Sequence, residues 1–253
     1  MIAKWLTTAA LAALLALPAA ADGFDYDAMS PAEQDAFGEA VRGYLLSHPE
    51  LLREWIGVLQ DSEAAAESAQ DEQLVAAHAA EIFNDGHSWV GGNPDGDVTM
   101  VEFLDYRCGY CRKAHPEVQE LISADGNIRK IIKEFPILGD ESVLASRFAI
   151  SVKQVAGDDA YGAMSNTLME HRGAFTRESL ARLADEAGLD TDAIMAHLDA
   201  PEVTRVIEKN YALAQAMSIA GTPTFVLGDT MLRGYVPLDG MRQVVAGERE
   251  DRG

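Results

Sequence analysis

The sequence predicts an α/β layered domain that carries a helical insertion and is preceded by an N-terminal helical segment. Three observations predict it. Two β-rich apolar runs, "VTMVEFLDY" (Val98–Tyr106) and "IRKIIKEFPI" from Ile128, enclose one helical stretch, which is the pattern of a β-α-β unit. From Asp140 to about Ile219 the spacing of apolar residues is helical. Two short strands and a closing helix then end the chain. Strands that resume after a helical block make one layered domain with an insertion.

The elements follow in chain order. Lys4, the apolar run "WLTTAALAALLALP" and Ala19–Ala21 ahead of acidic residues form a secretory signal pattern over 1–21, with cleavage expected after Ala21. The apolar run is shorter than the ~20 residues that span a bilayer. Residues 22–86 form the N-terminal segment. Ser30, Pro31 and Glu33 have capping-box spacing with proline at the first helical position, and "SHPE" (Ser47–Glu50) reads as a break and a second start. Leu52, Trp55, Ile56 and Leu59 then make an amphipathic stripe. The segment has too little apolar surface to fold alone, so it is expected to pack on its own domain or on another copy of itself, making residues 30–85 a candidate for homo-oligomerisation. Trp55 and Trp89 are expected in a core or an interface.

Residues 87–253 are expected to form the main domain. "GNPDGDV" (Gly92–Val98) reads as a turn, the first strand ends near Tyr106, and a helix is predicted from about Cys108 to Ser123. The insertion occupies about 140–219, punctuated by Gly157, Gly173 and Gly188 as helix ends. "TPTFVLGD" and "TMLRGY" read as a hairpin around a glycine-aspartate turn.

Acidic residues number 41 against 20 basic, a net charge of −21. Phosphate binding needs a basic face, so nucleic acid is excluded as a partner. The chain has two cysteines, Cys108 and Cys111, at the corner where the first strand meets the next helix. Three readings compete. A zinc site needs about four ligands, and only His115 joins the pair locally, so no metal is expected. A structural disulfide across so tight a loop would constrain the unfolded chain little. A redox couple fits the corner: the helix N-terminus stabilises a thiolate on Cys108, while Cys111, one turn on, can resolve a mixed disulfide. Arg107 adds positive charge beside it or is merely solvated. Asp105 and Tyr106 are expected to shape the turn, and His115 to pack. Glu134 could relay protons, but a strand-end glutamate paired with a neighbouring lysine is the simpler reading.

"FLDYRCGYC", "GTPTFVLGD" and the helical block between them resemble the thioredoxin fold of the DsbA-like periplasmic thiol-disulfide oxidoreductases, over about residues 87–247. "GYLLSHPELLREWIGVLQ" is similar to the N-terminal segment of the ScsC-like branch, where such helices mediate self-association. The resemblance implies a thioredoxin fold with an inserted helical domain, Cys108 as nucleophile, Cys111 as resolving cysteine, and Gly109 and Tyr110 as the dipeptide that tunes the couple. Pro223 would be a cis-proline facing the disulfide, with the backbone of Thr222 offered to an extended substrate. No cofactor is implied beyond the redox-active disulfide Cys108–Cys111. The implied partners are cysteine-containing periplasmic clients and a membrane redox partner of DsbB or DsbD type. "CGYC" with threonine before the proline resembles the isomerases of this fold more than the strong oxidases, which carry histidine in the dipeptide and valine before the proline. A DsbA-type oxidase is the alternative. A periplasmic binding or chaperone module with a structural disulfide is the alternative of another class.

Overall fold

A computed structural model describes residues 25–250, so the expected signal peptide lies outside the described residues. Contacts divide the chain into two units between Asp61 and Ser62. In the first, α1 (Pro31–Ser47) begins at the predicted cap: Ser30 donates from both N and Oγ to Glu33 Oε2, at 2.9 and 2.6 Å. His48 breaks the helix and Pro49 opens α2 (Pro49–Ala77), as "SHPE" predicts. No residue of α1 is buried, and Trp55 on α2 is 74% exposed.

The second unit begins inside α2 and continues through α3 (Ala79–Phe83). The sequence reading places its division later, at 86/87. Val75 and Ile82, assigned by sequence to the N-terminal segment, sit in one core cluster with sheet residues Val101, Phe103 and Ile131. Arg233 also grips Asp71 with both guanidinium nitrogens. The apolar spacing of 62–85 is too sparse to reveal this docking, because two inward side chains suffice to seat the segment.

The sequence predicts no strand at β1 (Trp89–Gly92); four residues ending in two glycines carry no strand signal of their own. It forms by pairing antiparallel with β3 (Ile128–Glu134), which lies parallel to β2 (Val98–Leu104). Between β2 and β3 runs α4 (Gly109–Asp125), ended by Gly126 at φ 71°. The insertion holds α5 (Asp140–Ala156), α6 (Asp158–Glu170), α7 (Arg177–Glu186), α8 (Thr191–His197) and α9 (Pro201–Ala216). The chain closes with β4 (Thr224–Leu227), β5 (Thr230–Arg233) and α10 (Leu238–Glu250). The sheet order is β1-β3-β2-β4-β5, with β2 and β3 the parallel pair, and the fold is a thioredoxin fold with an inserted helical block.

Strand alternation assigns the two faces of the sheet. Val101, Phe103, Ile131 and Val226 pack with Leu213, Ala214 and Met217 from the α9 region. Met100, Ile128, Phe225 and Leu227 pack on Ala114, Val118 and Leu121 of α4 and on Met241 and Val245 of α10. A third cluster joins Leu104, Tyr106 and Cys111 to Phe148, Tyr161 and Leu168 of the insertion. The cysteine corner therefore lies where the end of β2, the start of α4 and the insertion meet.

Candidate active site

The corner is built by Asp105. Its carboxylate is fully buried, with Oδ1 accepting from Arg107 N at 2.7 Å and Oδ2 from Ile137 N and Leu138 N at 2.8 and 3.0 Å. Its carbonyl accepts from Cys108 N at 3.0 Å. These bonds turn the chain out of β2 and leave Cys108 as the N-cap of α4, as the spacing predicted. Arg107 is not merely solvated: its Nε lies 3.5 Å from Glu141 Oε2.

The two sulfurs have opposite environments. Cys108 is 7% exposed and Cys111 fully buried. The Cys108 thiol is lowered to about 5: a hydrogen bond from the Cys111 thiol outweighs partial burial, with help from the Thr222 side chain and the backbone N–H groups of Cys111 and Tyr110. Those N–H groups are the unpaired donors of the first helical turn. Cys111 is pushed well above an ordinary thiol, first by burial, then by the bond it makes to Cys108, then by the negative charge of Glu102. At neutral pH the pair is thus a thiolate held by a thiol.

Cys108 Sγ also lies 3.1 Å from the carbonyl oxygen of Thr222, and the Thr222–Pro223 peptide is cis. Residues 108, 111, 222 and 223 therefore converge, although more than a hundred positions separate the two motifs. Of the dipeptide, Tyr110 stands 63% exposed with its ring stacked on Tyr235, centroids 6.5 Å apart, and Gly109 is the first residue of α4. His115 packs, as expected; burial and the Lys130 charge favour its neutral form.

Two buried acids deserve separation. Sequence reasoning weighed Glu134 as the acid near the cysteines and paired it with a lysine by default. It is instead buried among hydroxyls: Tyr106 Oη donates to its Oε1 at 2.8 Å and Tyr161 Oη at 2.5 Å. Burial raises its pKa to about 7 despite these bonds. The acid whose charge reaches Cys111 is Glu102, which sequence reasoning missed. It is 1% exposed and paired with Lys130 Nζ at 2.8 Å. The signal was present: a charged residue in the middle of an apolar strand, on the same face as Met100 and Leu104, is costly unless paired. Among the described residues no group of three or more His, Cys, Asp or Glu side chains is arranged to hold a metal.

Comparison with known proteins agrees with this geometry. A thioredoxin family model matches residues 84–246, and a model described as the copper resistance protein ScsC N-terminal domain matches residues 33–66. A thioredoxin-like oxidoreductase from Silicibacter pomeroyi DSS-3 is 42% identical with a TM-score of 0.64, over 68% of this chain and 97% of that one. BcfH from Salmonella enterica Typhimurium is 31% identical with a TM-score of 0.70, over 85% of this chain and 95% of that one. A periplasmic thioredoxin-like protein from the same serovar is 28% identical with a TM-score of 0.59, over 67% and 94%. The chain spans about a quarter of the length of the first curated relatives it matches, Na+/H+ antiporters NhaA of two Salinispora species, at 28% and 30% identity over 62% of this chain. With the family match covering more than half of its length, the chain belongs to the thioredoxin family, within its DsbA-like and ScsC-like oxidoreductases.

Proposed function

We propose that the chain is an exported protein thiol-disulfide oxidoreductase, more isomerase- or reductase-like than oxidase-like, acting on cysteine-containing periplasmic proteins. The observation that carries the reading is the divided pair: a stabilised thiolate on Cys108 beside a protonated, buried Cys111. The Cys108 thiolate attacks one sulfur of a client disulfide, forming a mixed disulfide and releasing the second client sulfur as a thiolate. That thiolate, or another in the client, can attack the client sulfur of the mixed disulfide. This expels Cys108 as thiolate and leaves the client isomerised with no net electron transfer. Alternatively Cys111 attacks Cys108, releases the client thiol and leaves the Cys108–Cys111 disulfide, so that two electrons pass to the client. The proton Cys111 gives up passes to the departing client sulfur, and Glu102, whose charge acts on Cys111, is the buried base through which it can be relayed.

Burial, the first cause of the raised Cys111 pKa, persists in the mixed disulfide and favours the first route, because a protonated thiol resolves slowly. Thr222 supplies the client's seat: its carbonyl lies beside Cys108, where an extended backbone can pair. Leu46, Trp55, Val58 and Leu59 keep apolar surface exposed on α1 and α2, which supports self-association through the N-terminal helices. After reductive turnover a membrane partner of DsbD type would restore the thiols; a DsbB-type partner would serve the oxidase alternative.

Refolding of scrambled ribonuclease tests the reading. Cys108→Ser should abolish reactivation, whereas Cys111→Ser should retain a substantial part of it while losing insulin reduction. Full activity in Cys108→Ser would refute exchange at this corner. Equal loss of both activities in Cys111→Ser would refute the isomerase preference.

A further inference from the structure

Beside the cysteine corner lies a groove of about 450 Å³, between α4 and the end of α6. Arg112, Gln119, Asn166, Glu170 and Arg172 are among its lining. In a chain of charge −21, this wall gathers two guanidinium groups against one carboxylate. Burial, and then the positive charges of Arg107 and Arg172, lower the Arg112 pKa, so the cations lie within electrostatic reach of Arg112. Arg107 is engaged by Glu141, but among the described residues Arg172 forms no ion pair.

Arg112 is positioned rather than free. Its Nε donates to Tyr106 O at 2.7 Å and its guanidinium carbon lies 5.9 Å from the Phe175 ring centroid. Its Nη2 is buried and has no hydrogen-bond partner. An unpaired buried donor makes the Arg112 cation costly, and a second cation, Arg172, lies near it with no ion pair among the described residues; a carboxylate in the groove would offset the repulsion between the two charges. Across the groove, Gln119 Nε2 donates to Asn166 Oδ1 at 3.1 Å and ties α4 to α6.

We propose that this groove is a carboxylate subsite of the exchange reaction, in which Arg112 and Arg172 seat an acidic group carried by the disulfide substrate. The inference rests on the exchange chemistry proposed above and assigns its substrate preference. Distance fits an acidic residue of the client. Arg112 N donates to Cys108 O at 3.1 Å, so it lies one helical turn from the nucleophile. An extended strand advances about 3.3 Å per residue, so side chains roughly two to four positions from the attacked cysteine reach the groove.

The test uses the full reduced protein and disulfide-linked dimers of a short peptide with Glu, Gln or Lys two to four residues from its cysteine. Formation of the mixed disulfide is followed by acid quench and mass spectrometry. At about 0.15 M salt, where a Debye length of roughly 8 Å screens the distant acidic surface, a Glu-over-Gln rate ratio of about ten is expected. Arg172→Glu should bring that ratio below one, and Arg172→Gln to an intermediate value, with near-UV circular dichroism reporting the fold. Equal Glu and Gln rates in the wild type, or a ratio unmoved by Arg172→Glu, would overturn the subsite. A parallel arm compares glutathione disulfide with its methyl ester. A preference confined to that pair upholds the subsite but assigns its carboxylate to a free tripeptide rather than a client. Absence of reaction with every disulfide would instead remove the exchange reading itself.

Discussion

At Cys108 the chemistry depends on one sulfur being more acidic than its neighbour. A pKa near 5 predicts that alkylation of the reduced protein by iodoacetamide titrates with a midpoint near pH 5 and is flat above pH 7. A midpoint near 8.5, the ordinary thiol value, would show that the corner does not stabilise the thiolate. The same shift has a signed effect on stability. The folded pKa is depressed, so its contribution is full above the unfolded thiol pKa and disappears as pH falls through about 5. The oxidised protein has no such thiolate. The stability of the reduced form relative to the oxidised form should therefore decline from pH 9 to pH 5, measured by denaturant unfolding of each. The positions of both cysteines and the helix start were legible because short-range rules place them, whereas Pro223 was placed near the pair by the family resemblance. Glu102 was overlooked because one charge in a strand becomes informative only once its face is known.

Glu134 belongs to the scale of elements, since it joins β3 to the end of β2 through Tyr106 and to α6 through Tyr161. Asn210 on α9 adds a bond from Nδ2 to the Glu134 carbonyl at 3.0 Å. Its raised pKa has the opposite sign to that of Cys108. The stability it contributes is full below about pH 4.5 and is lost as pH rises through about 7. Glu134→Gln keeps an oxygen acceptor for both tyrosines and removes the ionisation. The variant should gain stability relative to wild type between pH 5 and pH 8, on the order of 1–3 kcal/mol; a difference constant with pH would refute the shift. Another element-scale prediction concerns α3. Ile82 is fully buried in the sheet-facing cluster, so Ile82→Ala should cost about 2–5 kcal/mol in denaturant unfolding. A cost near zero would mean that α3 does not belong to the domain core.

For the whole molecule, the division between Asp61 and Ser62 defines the truncation that separates assembly from fold. A chain beginning at Ser62 retains Asp71, Val75 and Ile82, whereas one beginning at His87 would lose all three core or ion-pair contacts. Light scattering should report a multimer for the full mature chain and a monomer for the chain beginning at Ser62. The same mass per chain in both would remove the N-terminal helices as the means of assembly. If the multimer supports isomerisation, the truncated chain should also reduce insulin yet reactivate scrambled ribonuclease poorly.

The sequence by itself determined what depends on near neighbours. Proline and capping residues set the starts of α1 and α2, and apolar runs set β2 and β3. Helical spacing marked the insertion, and the cysteine spacing put both sulfurs in one helical turn. These are local because backbone propensity, capping and one-face periodicity act within a few residues. Tertiary structure decided what depends on distant partners. Trp89–Gly92 becomes a strand because β3 offers it an edge, and residues 71–83 join the core because the sheet receives Val75 and Ile82 and Arg233 grips Asp71. Tertiary hydrogen bonding and burial, which no single position reveals, gave the two cysteines opposite protonation states: bonds from the Cys111 thiol and the helix N-terminus lower Cys108, and burial raises Cys111. They also brought the charge of Glu102 to bear on Cys111 and left Arg112 with an unpaired buried donor one helical turn from the nucleophile.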